Sequence, residues 1–243
     1  MPDSLVLAAI AFAGALIFGI TGFGSALVTI PLATHLVPLK FALALFAVVD
    51  LCCAVSVGLE NPKNAVKREW TRLIPMILVG TALGVTLLVN LPRTVGMLLL
   101  GAFIASYALY SLFRRSATRV IDPRWAWLAG LGGGITSTLF GAGGPPYAIY
   151  LSQRGLTKEQ FRATMGLATM CSISIRIVVF FITGLLLDRA VWLTALAAVP
   201  AALAGLWVAR RIYSRVSREV VLRAVAAILL LSGSSLILRA FNA

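Results

Sequence analysis

Charge is what this chain has least of. Only 12% of its 243 residues are Asp, Glu, Lys or Arg, against about 25% in a soluble domain. Acidic residues are rarest, eight against 21 Lys and Arg. Histidine occurs once, as His35. With that histidine beside a short loop and no paired Asp arrangement, hydrolytic chemistry has no visible machinery. No GxxxxGK[ST] stretch is present, so ATP is not expected to drive anything within this chain. The three cysteines, Cys52, Cys53 and Cys171, all lie in apolar runs without metal-ligand spacing. No metal and no cofactor is expected, and the thiols read as small packing hydrophobes. The functional alternative is an intramembrane sulfur-handling enzyme that uses them. Only Pro2 and Asp3 stand between the first methionine and the first apolar run. Without a basic segment there, a cleavable signal peptide is not expected.

What the chain has is apolar length. Hydrophobic residues make up 60% of it, and the mean hydropathy is +0.98. A membrane helix needs about 20 mostly apolar residues. Spans are expected at 5–37 (interrupted), 41–58, 73–89, 94–112, 126–152 (interrupted), 163–187, 191–208 and 219–238. The chain is therefore an all-α polytopic membrane protein whose partner is a lipid bilayer. The net charge of +13 does not call for nucleic acid, because the basic residues lie between spans, where membrane insertion places them. Trp70, Trp125, Trp127 and Trp192 fall near span ends, as an interfacial aromatic belt requires.

The interrupted segment at 131–151 organises the rest. It contains Gly141-Ala142-Gly143-Gly144-Pro145-Pro146, a glycine turn running directly into two prolines. Glycine permits a positive φ, and proline at the first helical positions sacrifices no hydrogen bond. The segment reads as a helix that stops, turns and restarts. A helix N-terminus buried at that depth offers free amides and a positive dipole end to an anion. The other interrupted segment carries Gly22-Phe23-Gly24-Ser25, with Ser25 where an N-cap belongs. At a spacing of 119, Gly22 aligns with Gly141 and Gly24 with Gly143; at 125, Pro75 aligns with Pro200 and Gly80 with Gly205. Two halves built to one plan, 1–115 and 122–243, are expected, a common signature of secondary transporters.

Loop charge discriminates between two topologies. If each interrupted segment is a hairpin that enters and leaves on one face, 16 Lys and Arg collect on one side and 4 on the other. If each crosses once, the division is 10 and 10. Insertion favours the strong bias. The expected fold is thus two inverted repeats, each a re-entrant Gly-turn hairpin plus three transmembrane helices, with both termini on the charge-poor outer face. Residues 5–20 would rise about 24 Å as helix, short of a bilayer core of about 30 Å.

Two charges lie near the middle of spans, Asp50 and Arg176. Charges at that depth require a partner or a watery path. Arg176 reads either as an anion ligand or as half of a structural ion pair with Asp50, and Asp50 is a candidate for proton coupling. The expected substrate-binding set is Gly22, Gly24, Ser25, Gly141, Gly143, Gly144 and Arg176. Thr21, Thr138 and Tyr147 are hydroxyl candidates beside them.

These features resemble the TauE/SafE family of sulfite and organosulfonate exporters. The match is carried by the 141–146 motif, by Tyr150-Leu151 and the polar loop 153–162, and by the repeat architecture. Gly22-Phe23-Gly24-Ser25 departs from the family's run of three glycines. The resemblance implies a secondary transporter, not an enzyme, in a bacterial inner membrane, exporting small sulfur-containing anions by alternating access. A permease for another small anion and an uptake direction are the alternatives, and a homo-oligomer is compatible with either.

Overall fold

A computed structural model describes residues 2–22, 25–113 and 120–212; the expected span at 219–238 lies outside them. Among the described residues the chain is helical with no strand: α1 Pro2–Thr21, α2 Ser25–Ala33, α3 Leu39–Gly58, α4 Lys67–Asn90, α5 Arg93–Phe113, α6 Trp125–Phe140, α7 Gly144–Leu151, α8 Lys158–Ile182 and α9 Arg189–Ile212. A single 3-10 turn, Pro62–Asn64, precedes α4. Five of the helices are long and apolar enough to cross a bilayer. This is a multi-pass membrane protein.

Several helices start earlier than hydropathy predicts. α8 begins at Lys158 because Thr157 and Gln160 form a reciprocal capping box, each side chain bonding the other's backbone N–H (3.2 and 3.1 Å). α1 begins at Pro2, a residue suited to a helix start. Its 20 residues rise about 30 Å, so the expectation that the first arm is too short to cross a bilayer is not met. The reversal that follows it is set by packing instead of length.

Both interrupted segments fold back on themselves. α6 stops at Gly141, φ +71°, and the Ala142 N–H returns to the Thr136 carbonyl at 3.1 Å. The Gly141 N–H bonds the same carbonyl, so the left-handed glycine closes the last turn of α6 and turns the chain away from the helix. Pro145 and Pro146 then occupy the first turn of α7. α7 runs back along α6, with the Tyr147 ring over Gly133, where a Cβ would collide with it. The two ends of the hairpin meet: the Ile121 N–H donates to the Gln153 carbonyl at 3.1 Å. In the first segment Gly22 has φ +80°, and its N–H donates to the Phe18 carbonyl at 2.7 Å. There α2 lies on α1, with Thr29 and Ser25 against Gly14.

The long helices pack through glycine. α4 lies along α6, where Gly80 faces the Leu131 carbonyl and Gly84 faces Thr138. α1 lies along α9, where Gly205 faces the Phe12 carbonyl and Gly19 faces Ala209. Small residues let backbones approach this closely in membranes, where no hydrophobic force draws helices together. At the centre α3 packs on α8. Asp50 meets Arg176 while Gly58 meets Gly166, so these two helices run antiparallel.

Leu78, Leu83, Val178, Ile182, Leu193 and Leu196 are exposed along the outward sides of α4, α8 and α9, as a lipid-facing surface requires. Trp125, Trp127 and Trp192 are exposed at helix starts. One end of the bundle gathers the charge. Glu60 after α3 accepts from Arg162 of α8 (3.2 Å) and Arg210 of α9 (2.8 Å). The Val66 N–H at the start of α4 donates to Thr164 of α8 at 2.9 Å. Lys40 and Arg189 begin α3 and α9 at the other end.

Candidate functional site

The two turns converge on one buried polar cluster. A small cavity of about 20 Å³ is lined by Ser25 and Ala26 of α2, Asp50 of α3, Ser137 of α6, Gly141 to Gly144 of the second turn, Tyr147 of α7, and Thr169 and Ser172 of α8. That is room for about one water. A polyatomic anion is larger than that and does not fit the cavity in this conformation.

Asp50 is the node that joins α2 to α8. Ser25 Oγ donates to its Oδ1 at 2.7 Å, and Arg176 Nη2 to its Oδ2 at 3.4 Å. Arg176 Nη1 donates to the Ser137 carbonyl at 2.8 Å, one turn before the glycine reversal. Both charges are withdrawn from water, Asp50 at 3% exposure and Arg176 at 0%. A buried pair of this kind is favourable only when its remaining donors and acceptors are satisfied. Here they are not all satisfied. Among the described residues, Arg176 Nε and Thr169 Oγ1 are buried without a hydrogen-bond partner. An unmade bond at a buried polar group costs about 1–3 kcal/mol, more for a charged one. A second chain of hydroxyls lines the same wall: Tyr147 Oη bonds Ser172 Oγ at 2.9 Å, which donates to Ser137 Oγ at 3.3 Å.

Of the residues singled out in the sequence, Ser25, Asp50, Gly141, Gly143, Gly144 and Tyr147 line this cavity. Arg176 stands behind it, bonded to Asp50 and Ser137. Gly22 shapes the first turn without lining the cavity, and Gly24 lies outside the described residues. Ser25 is the first residue of α2, and its hydroxyl donates to Asp50. Thr21 and Thr138 donate back to the Ile17 and Gly134 carbonyls of their own helices. The reading of α7 as an anion-binding N-terminus narrows for a simple reason. Pro145 and Pro146 have no N–H, so the amides this helix start can offer are those of Gly143 and Gly144.

Ser137, Thr169, Ser172 and Phe18 were not legible as site residues. Serine and threonine in membrane helices commonly bond their own backbone, and nothing in their spacing separates the four from others. His35 is exposed at the end of the first hairpin and does not line the cavity. Among the described residues no group of three or more His, Cys, Asp or Glu is placed to hold a metal. None of the three cysteines lines the central cavity either. The triple variant C52A/C53A/C171A is therefore expected to keep wild-type anion flux in proteoliposomes; loss of flux would return the thiols to the mechanism.

Residues 6–236 match the family described as Sulfite exporter TauE/SafE. The chain is also 31% identical over 169 residues to the "Probable inner membrane transporter protein TsaS" of Comamonas testosteroni, which covers 68% of this chain and 69% of that one. No solved structure matches the chain.

Proposed function

Since this chain belongs to the sulfite exporter TauE/SafE family of membrane transporters, we propose that it exports small sulfur-containing anions, sulfite or an organosulfonate. Its site is the cluster between the two glycine turns. The observation that carries this reading is the incomplete arginine: a buried guanidinium with an unused Nε, beside an unpartnered Thr169 hydroxyl, at the meeting point of both hairpins. An oxyanion supplies the missing acceptors, and a planar guanidinium suits its geometry.

In this mechanism Asp50 is the switch. While ionised it holds Arg176 Nη2 and repels an incoming anion. Protonation removes the repulsion and releases Nη2, so that Arg176 and the amides of Gly143 and Gly144 turn to the substrate. Anion and proton then move together. The halves 1–115 and 122–243 act as inverted repeats that rock about α3 and α8. Three observations support that symmetry. Equivalent glycines, Gly22 and Gly141, carry the positive φ. Equivalent crossings, Gly80 on Leu131 and Gly205 on Phe12, close the two flanks. The central pair α3 and α8 is antiparallel, as an axis in the membrane plane demands. Hairpins opening from opposite faces place the charge-rich end of the bundle in the cytoplasm and both chain termini outside.

Symmetry makes a quantitative demand. Gly80→Val and Gly205→Val each drive a side chain into a helix carbonyl, an overpacking of about 1–3 kcal/mol. Their losses in thermal stability in detergent should be alike, and a loss at one site alone contradicts equivalent halves. The transport reading itself is tested by flux of radiolabelled sulfite and of an organosulfonate in proteoliposomes. Flux that rises with an imposed pH gradient is expected; flux indifferent to it refutes proton coupling, and none with either substrate refutes the substrate class.

A further inference from the structure

The charge-rich end of the bundle holds a second buried carboxylate that the mechanism above does not use. Glu69, in the first turn of α4, is 5% exposed. Tyr150 Oη donates to its Oε2. Arg154 grips both oxygens, Nε to Oε2 at 3.1 Å and Nη2 to Oε1 at 3.0 Å. Arg72 adds a third contact, at 3.5 Å. Arg154 also donates through Nη1 to the Ile121 carbonyl, and its guanidinium lies 5.9 Å from the Tyr150 ring centre. A fork-to-fork arginine–carboxylate pair is among the stronger polar contacts a protein makes. The hydrogen bonds that Arg154 donates to Glu69 strengthen its hold on its own proton further.

The position of this cluster gives it meaning. Tyr150 ends the short arm of the second hairpin, and Ile121 precedes its long arm. Together with Arg154 they fasten the base of the hairpin to α4. Three residues before Tyr150, Tyr147 lines the central cavity and bonds Ser172. α7 is a single helix of eight residues, so a swing of the whole helix carries both tyrosines with it. One holds the wall of the site and the other holds the fastening. The opposite end of the bundle has no equivalent among the described residues. There Asp188 accepts from the Ala190 backbone N–H at the start of α9, and no ion pair joins helices.

We propose that Glu69, Arg154 and Tyr150 form the gate of the transport cycle on the charge-rich face, shut in this conformation and opened when α7 swings away from α4. Arg154 and Glu69 are positioning residues in this scheme, since they act on the site through α7. The gate rests on the hairpin movement of the proposed mechanism but not on the substrate. An apolar face needs only to separate, whereas this one exchanges defined ionic bonds for water, which suits an all-or-none opening.

One-sided accessibility tests it. In the background C52A/C53A/C171A, A142C places a thiol at the cavity, and a membrane-impermeant anionic thiol reagent is applied from the charge-rich side. With the gate intact, labelling is expected to be slow. Glu69→Gln and Arg154→Gln are each expected to speed it by about tenfold or more, from that side only, by shifting the population of the open state. Tyr150→Phe, which keeps the ring packing and drops one hydrogen bond, should give a smaller rise in the same direction. The charge reversal E69R/R154E should restore slow labelling. A fastening that merely supports the fold would lower thermal stability without any one-sided gain, and unchanged labelling in Tyr150→Phe and the glutamine variants overturns the gate. If labelling responds as expected while neither sulfite nor sulfonate is carried, the substrate assignment fails and the gate stands.

Discussion

Arg176→Ala is expected to lower anion flux by about two orders of magnitude, because it removes the guanidinium that meets the anion, and to cost about 3–5 kcal/mol of stability, because it leaves Asp50 as an unpaired buried charge. The interest lies in separating that cost from transport. Asp50 and Arg176 are bonded at 3.4 Å and both are buried, so each single alanine variant destabilises whatever the pair is for. The double variant Asp50→Ala/Arg176→Ala leaves no orphaned charge. Its thermal stability should recover toward wild type, since residues in one network are strongly non-additive. Its flux should not recover, because the guanidinium that meets the anion is gone. If flux returns along with stability, the pair is a structural tie between α3 and α8 and nothing more. Asp50→Asn completes the cycle. It preserves the acceptor for Ser25 and removes the negative charge, so flux should persist and lose its dependence on the pH gradient.

The second large effect is expected at Gly141. Its φ of +71° costs an L residue about 1–2 kcal/mol. A Cβ there would also stand 2.9 Å from Ala26 Cβ and 3.2 Å from Arg176 Nη1. Gly141→Ala therefore adds overpacking of about 1–3 kcal/mol and pushes the two hairpin tips apart where they touch. Gly22 is its counterpart in the first turn, with φ +80° but, among the described residues, nothing within 4 Å of an added Cβ. Gly22→Ala should show the strain alone. Melting temperatures and flux measured side by side should rank Gly141→Ala well below Gly22→Ala. Equal losses would mean that the tips do not touch in the working protein.

Much of this architecture was written in residues with few physical options. Glycine followed by two prolines inside an apolar run can scarcely be anything but a stop and restart, and 141–146 folds that way. Asp50 and Arg176 stood out because a charge in the middle of a span must meet something, and they meet each other. The glycines at Gly80 and Gly205 aligned in sequence and turn out to face matching carbonyls. Other features had no such constraint. The start of α1 was missed because a proline at position 2 favours a helix without raising hydropathy. Ser25 matched an N-cap by local pattern, yet its hydroxyl follows a partner 25 residues away. Glu69 passed unnoticed among lysines and arginines at a span end; its partners lie 81 and 85 residues further on. Pairing over such distances follows from the packing of α4 on α6, which carries α7 and the loop after it, and no local spacing encodes it.

If the two re-entrant hairpins dip from opposite faces toward one shared site, each must have both ends of its base on a single side of the membrane. Single cysteines at Val120 and Gly155, at the two ends of the second hairpin, and at Ser4 and Leu36, at the two ends of the first, are to be labelled with an impermeant thiol reagent in right-side-out and inside-out vesicles. The account predicts that 120 and 155 react together from the cytoplasmic side, and that 4 and 36 react together from the outer side. A pair split between the two faces would show a segment that crosses the membrane, and would contradict it.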